Sequence, residues 1–209
     1  MGKTWWTTWW APVLWVLTFL GVLVWSGIHP KDQLTWFLEV SPAIVGFVLL
    51  VLTYRRFPLT PLVYLLILIH AVILMVGGHY TYAEVPLFDA LRDLLGGDRN
   101  NYDKLGHLAQ GFVPALIARE LMLRLGVFSS RRWMNFFIIC FCLAFSALYE
   151  LIEWWVALLS DEAAESFLGT QGYVWDTQSD MALALLGAIL ALGLLARSHD
   201  GQLERLLRR

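Results

Sequence analysis

"TPLVYLLILIHAVILMVG" (Thr60–Gly77) contains no charged side chain and one imidazole, His70. No stripe along it is polar, so it cannot be an amphipathic surface helix. Its length is close to the ~20 residues that cross a hydrocarbon core. Five further apolar runs of similar length lie around it. The six spans fall near 11–27, 34–53, 60–77, 104–125, 133–158 and 177–196. The chain is 58% hydrophobic and 15% charged, with mean hydropathy +0.61. Soluble domains carry about 25% charged residues. The expected fold is an all-α polytopic membrane bundle, one integral membrane domain across residues 1–209, with the lipid bilayer as its partner.

The remaining composition agrees. Eleven Trp suit the two membrane interfaces. A net charge of −2 argues against a nucleic-acid partner. The first run ends in "VWSGIHP" without a small-residue cleavage pattern, which reads as a signal anchor. "TWWTTWW" before it reads as an interfacial anchor. Cys140 and Cys142 point to different faces of one run and read as small buried hydrophobes. Between spans three and four, "VPLFDALRDLL" has helical spacing. A short interfacial helix near 85–95 is expected there, ended by Gly96-Gly97.

Basic residues set the orientation. In a six-span arrangement 11 Lys and Arg fall on one side and 4 on the other, which places both termini in the cytoplasm. Fourteen of the 17 acids fall on the opposite, outer side. This face should attract cations.

Helix directions then bring the polar groups to one depth. In "FSALYELIEWWVALL" (Phe145–Leu159), Glu153 lies roughly 7 Å and Glu150 roughly 12 Å below the outer end. Asp103 and His107 are four residues apart at the outer end of span four, and Gln110 extends that face. Asp176 and Asp180 are four apart at the outer end of span six. Glu39 and His79 reach the same level. Charged groups within spans normally face a bundle interior or a wet cavity. The spacing therefore predicts one outward-opening pocket lined by Asp103, His107, Glu150, Glu153, Asp176 and Asp180.

Five carboxylates and one imidazole this close cannot all be ionised, so either some are protonated or a cation neutralises them. Oxygen ligands with one imidazole suit a divalent cation: Mg²⁺, Mn²⁺, Ca²⁺ or Zn²⁺. All six residues are candidate ligands. Glu150, Glu153 and Asp180 are also candidate general acids or bases for hydrolysis of an envelope lipid or its head group. Lys104, Arg92 and Arg99 are placed to hold that head group. Two other readings stand beside this one. In one the acids carry protons or cations in a coupled transporter. In the other they only hydrogen-bond helices together in a structural or accessory protein.

Other features read more simply. His70 is expected to be a hydrogen-bonded core residue. Arg119-Glu120, near the inner end of span four, reads as snorkelling or a local pair. "GTQG" (Gly169–Gly172) reads as a turn. Ser146 and Ser179 lack the flanking glycines of a nucleophile elbow, and H-E-x-x-H is absent. Ala184-x-x-x-Ala188 and Gly187-x-x-x-Ala191 mark span six as a close-packing helix. "DGQLERLLRR" reads as a short basic amphipathic helix at the inner surface.

"HPKDQLTWFLEVSPA", "NYDKLGHLAQGFVPALIARE", "SALYELIEWW" and "LGTQGYVWDTQSDM" resemble the YjdF-like family of bacterial inner-membrane proteins, from about Ile28 to the end of span six. The resemblance implies an inner-membrane location and no particular activity. The D-K-x-x-H start of span four, the acid-bearing span five and the acid-initiated span six are more distantly similar to VanZ-like proteins. "ELIEWW" departs from that pattern.

Overall fold

The computed structural model describes residues 10–159 and 173–208. "TWWTT" and "GTQG" lie outside the described residues. The described chain forms seven helices: α1 (Trp10–Gly27), α2 (Gln33–Thr53), α3 (Pro61–Tyr80), α4 (Pro86–Leu95), α5 (Tyr102–Arg124), α6 (Arg131–Leu159) and α7 (Asp176–Leu207). No strand occurs among the described residues. Five helices, α1, α2, α3, α6 and α7, are long and apolar enough to cross a membrane.

The expected fourth span is α5, and its place explains its composition. It carries Asp103, Lys104, Arg119, Glu120 and Arg124 within 23 residues. A helix facing lipid could not hold them. Instead α5 is the centre of the bundle, packed by α3, α6 and α7. Its buried residues include Asp103's neighbour His107, Gln110, Arg119 and Glu120. At 1.5 Å per residue it is about 35 Å long, enough to run the depth of the bundle.

Helices α5 and α7 run in the same direction and touch backbone to backbone. A Cβ at Gly111 would lie 1.7 Å from the Ala184 carbonyl oxygen, and one at Gly187 would lie 2.2 Å from that of Leu108. Only glycine permits that approach. The small-residue face expected of span six is thus the contact with α5.

Elsewhere the packing is aromatic. Trp15, Phe19 and Phe47 stack, with Phe19 and Phe47 centroids 4.6 Å apart. The Trp15 indole N–H donates to the Tyr64 carbonyl at 2.8 Å, fixing α1 on α3. Helix α2 starts at an Asp32 cap, whose carboxylate accepts from the Thr35 N–H. Asp32→Ala should lower stability by about 1 kcal/mol in a detergent unfolding titration. Pro42 within α2 cannot donate to the Leu38 carbonyl four residues back. The Ser41 hydroxyl donates to it instead, at 2.9 Å.

Helix α4 matches the expected short helix and ends on Gly96 at φ +66°. Leu87, Leu94 and Leu95 are its exposed edge. The Asn100 amide ties α4 down, donating to the Val85 carbonyl and to Asp89, both at 3.0 Å.

Three expectations change. The tail is no separate helix, because α7 continues without a break to Leu207. His199 and Leu203 are buried, and Gln202 Oε1 accepts from the Leu62 N–H at 2.8 Å, so the last turns pack rather than lie on a surface. Arg119 does not snorkel: it and Glu120 are 2% and 0% exposed. Cys142 is buried as expected, but Cys140 is exposed.

Candidate functional site

Five helices bring polar groups to one end of the bundle, where α2, α5 and α7 begin and α3 and α6 finish. The i,i+4 spacing in the first turns of α5 stacks Asp103 above His107. The His107 Nε2 lies 3.3 Å from Asp103 Oδ1 and 3.9 Å from Asp180 Oδ2 of α7. Ligand atoms of Asp103, His107 and Asp180 all lie within 4.8 Å of one another. On the other side of the ring, Nδ1 is 3.3 Å from Gln110 Oε1 and 3.8 Å from Glu150 Oε1.

This arrangement has a direction. The Gln110 amide oxygen can only accept, so it favours a proton on Nδ1 and leaves the Nε2 lone pair facing the two aspartates. Ligating histidines commonly use such a second hydrogen bond to set their orientation. Two carboxylate oxygens beside the imidazole, Glu150 Oε1 and Asp180 Oδ1, are buried and have no hydrogen-bond partner. An orphaned buried carboxylate oxygen is costly without a compensating cation or donor. The donor set therefore fits a divalent ion.

The six sequence-predicted residues separate into three environments. Asp103, His107 and Asp180 converge, and Glu150 flanks them. Asp176 is held elsewhere: Arg99 Nη1 donates to its Oδ1 at 2.6 Å, and its own carboxylate is almost fully buried. Burial works against the Arg99 charge, but the hydrogen bond and charge of Asp176, with Asp103 and Asp180 behind it, outweigh this and raise the Arg99 pKa above the ordinary guanidinium value. Glu153 lines a cavity beside the cluster.

That cavity, about 260 Å³, also contains residues that the sequence reading left out of its pocket. Glu39 from α2 accepts from the Tyr149 hydroxyl of α6 at 3.2 Å. Tyr82, at φ +58° just past α3, adds a second phenol. The depth of Glu39 was legible, but its facing was not. Tyr149 and Tyr82 carried no charge to mark them. His79 lies at the expected level but turns away, its Nδ1 2.9 Å from the Ser26 carbonyl and its ring against Trp25. His70 lines the cavity floor, and its Nε2 lacks the expected hydrogen bond.

The cations are largely engaged. Arg92 pairs with Asp89 and Asp93, and Lys104 lies 5.6 Å from the centroid of the Tyr173 ring. The Ser179 hydroxyl donates to the Asp176 carbonyl at 2.9 Å, so it is not poised as a nucleophile.

A second polar network occupies the opposite end. Glu120 accepts from the Thr60 N–H and hydroxyl, from Arg124, and from His199 Nε2 at 3.0 Å. Arg119 donates to His199 Nδ1 and to Asp200, both at 2.7 Å. A guanidinium only donates, so His199 Nδ1 is the acceptor and Nε2 carries the proton toward Glu120. Sequence showed the two charges side by side but not their partners 60 to 80 residues away.

A family model described as "Predicted membrane protein (DUF2238)" matches residues 11–201. The chain is also similar to the inner membrane protein YjdF of Escherichia coli (strain K12), 54% identical over 189 residues, 90% of each chain. These matches carry the YjdF-like resemblance and not the VanZ-like one. No solved structure matches the chain.

Proposed function

We propose, from the premise that this chain belongs to the DUF2238 family and is a multi-pass inner-membrane protein, that its acidic end binds one divalent cation and acts hydrolytically on the head group of an envelope lipid. The observation that carries this reading is the convergence of Asp103, His107 and Asp180 within 4.8 Å, with unpartnered carboxylate oxygens on Asp180 and Glu150. The excess of basic residues at the opposite end supports an outward-facing site.

Asp103, Asp180 and the His107 Nε2 would hold the ion. Such an ion polarises a phosphoryl or carbonyl oxygen and makes water a stronger acid. Gln110 keeps the imidazole oriented. Glu150 Oε1 would accept the proton of an attacking water, and Glu153 at the cavity wall, in its protonated form, would give its proton to the leaving oxygen. Arg99, 3.9 Å from Asp103, and Lys104, the next residue of α5, would meet an anionic head group. A transport path would call for broken helices near the midplane; α3, α5, α6 and α7 are continuous and the cluster lies at one end.

The test is ligand-linked stability. Purified protein in detergent should gain about 2.7 kcal/mol at a cation concentration 100 times its Kd. The series to titrate is Mg²⁺, Mn²⁺, Ca²⁺ and Zn²⁺ against a chelator. His107→Ala and Asp180→Asn should abolish the gain. A wild-type protein indifferent to all four ions would contradict the proposal. With the preferred ion, head-group release from phospholipid vesicles should then be measured, and Glu150→Gln should lower the rate at least tenfold while leaving ion binding in place.

A further inference from the structure

The cavity beside the cluster has walls that face the membrane. Helix α2 packs on α3, while α6 packs on α5 and α7. The gap between α2 and α6 is bridged at the Tyr149–Glu39 hydrogen bond. Around it the walls are apolar: Leu38 and Pro42 on one side, Phe145, Leu148 and Ile152 on the other. The three α6 residues are 41–46% exposed on helices that are themselves candidate spans, so their surroundings are hydrocarbon. The volume, 260 Å³, is roughly that of nine waters at ~30 Å³ each, well beyond packing slack.

The cavity is not uniformly apolar. Its outer end carries Glu39, Asp103 and His107, and its floor carries the unpartnered His70 Nε2. His70 lies ten residues, about 15 Å, below the Tyr80 end of α3. His107 lies five residues, about 8 Å, below the start of α5. The Tyr82 ring lies against both Gly77 of α3 and Gly106 of α5, so the two helix ends are level to within about a turn. The step of roughly 7 Å between the imidazoles is on the scale of a glycerol backbone from its phosphate to an ester carbonyl.

We infer that the gap between α2 and α6 is a lateral port for one glycerophospholipid of the surrounding leaflet. Its acyl chain lies between Pro42 and Leu148, an ester carbonyl accepts from the His70 N–H, and its phosphate reaches His107. This deepens the proposed function by naming the substrate class and its route, and it rests on that reading only for what happens at the phosphate.

The experiment uses the full chain in phosphatidylethanolamine/phosphatidylglycerol vesicles doped with a phosphatidylethanolamine carrying a diazirine early in its acyl chain. After irradiation, peptide mass spectrometry locates the label. The expected label on the His70–Leu74 segment is at least fivefold above that on the buried Val113–Leu116 segment. Leu148→Trp, filling the port, should cut it at least fivefold. Ser41→Trp on the facing wall makes the same test should Leu148→Trp not fold. Asp180→Asn should leave the label in place while removing cation-linked stabilisation, which separates failure of the port from failure of the ion site. Label no higher at His70–Leu74 than in the buried segment, or unchanged by a port-filling tryptophan, overturns the inference.

Discussion

Glu120→Ala should destabilise the protein by about 3–5 kcal/mol, the cost of leaving a buried charge network without its anion. The side chain is 0% exposed and receives four donor groups, from Thr60, Arg124 and His199. Its removal leaves the Thr60 N–H, one end of His199 and the Arg124 guanidinium facing a void. The network also joins α5 to α7 and to the start of α3, so the loss is shared by three helices. Glu120→Gln keeps the volume and part of the Thr60 contact and should cost less. Reversible unfolding in mixed micelles measures both. A loss under 1 kcal/mol for the alanine variant would mean that the network contributes little to holding the three helices together.

Gly111→Ala should cost about 3 kcal/mol, at the upper end for inserted bulk, because its clash is with backbone rather than a movable side chain. The added carbon would lie 1.7 Å from the Ala184 carbonyl oxygen, so α5 and α7 must separate. That separation also shifts Asp180 relative to His107, so cation affinity should fall with stability. Gly193→Ala is the internal control. It lies on α7 with open space around it, and the same change there should be neutral or stabilising by up to about 1 kcal/mol. Equal effects at the two glycines would contradict the close contact.

Both predictions turn on relations that sequence shows unevenly. The spans were legible because an apolar run of fixed length has few alternatives in water. Span four was legible as a helix, and its five charges become intelligible once it is the centre. The tail was not legible: "DGQLERLLRR" has the composition of a surface helix, and only the burial of His199 and Leu203 shows that α7 carries on into the packed end. Arg119 and Glu120 looked local because their partners come from other helices.

At the acidic end, depth was readable and facing was not. The pair Asp103–His107 shares a face by its spacing, and Asp180 joins it through the α5–α7 contact. Asp176 has the same spacing from Asp180 but is claimed by Arg99, a loop residue whose position no periodicity fixes. Glu150 and Glu153 are three apart on α6, yet the first turns to His107 and the second to the cavity. The rotation of α6 against α5 decides this, and it follows from packing across the whole bundle.

If Asp103, His107 and Asp180 hold one divalent cation, the purified protein should take it up in a fixed ratio. Equilibrium dialysis of the purified protein against Mn²⁺, followed by elemental analysis, tests it most directly. One ion per chain is expected, with an affinity weaker by about a hundredfold or more in His107→Ala and Asp180→Asn, so that their cation-linked gain is lost, and near wild-type affinity in Asp176→Asn, because that carboxylate is engaged by Arg99. No bound ion in the wild type, or equal binding by all four proteins, would contradict it.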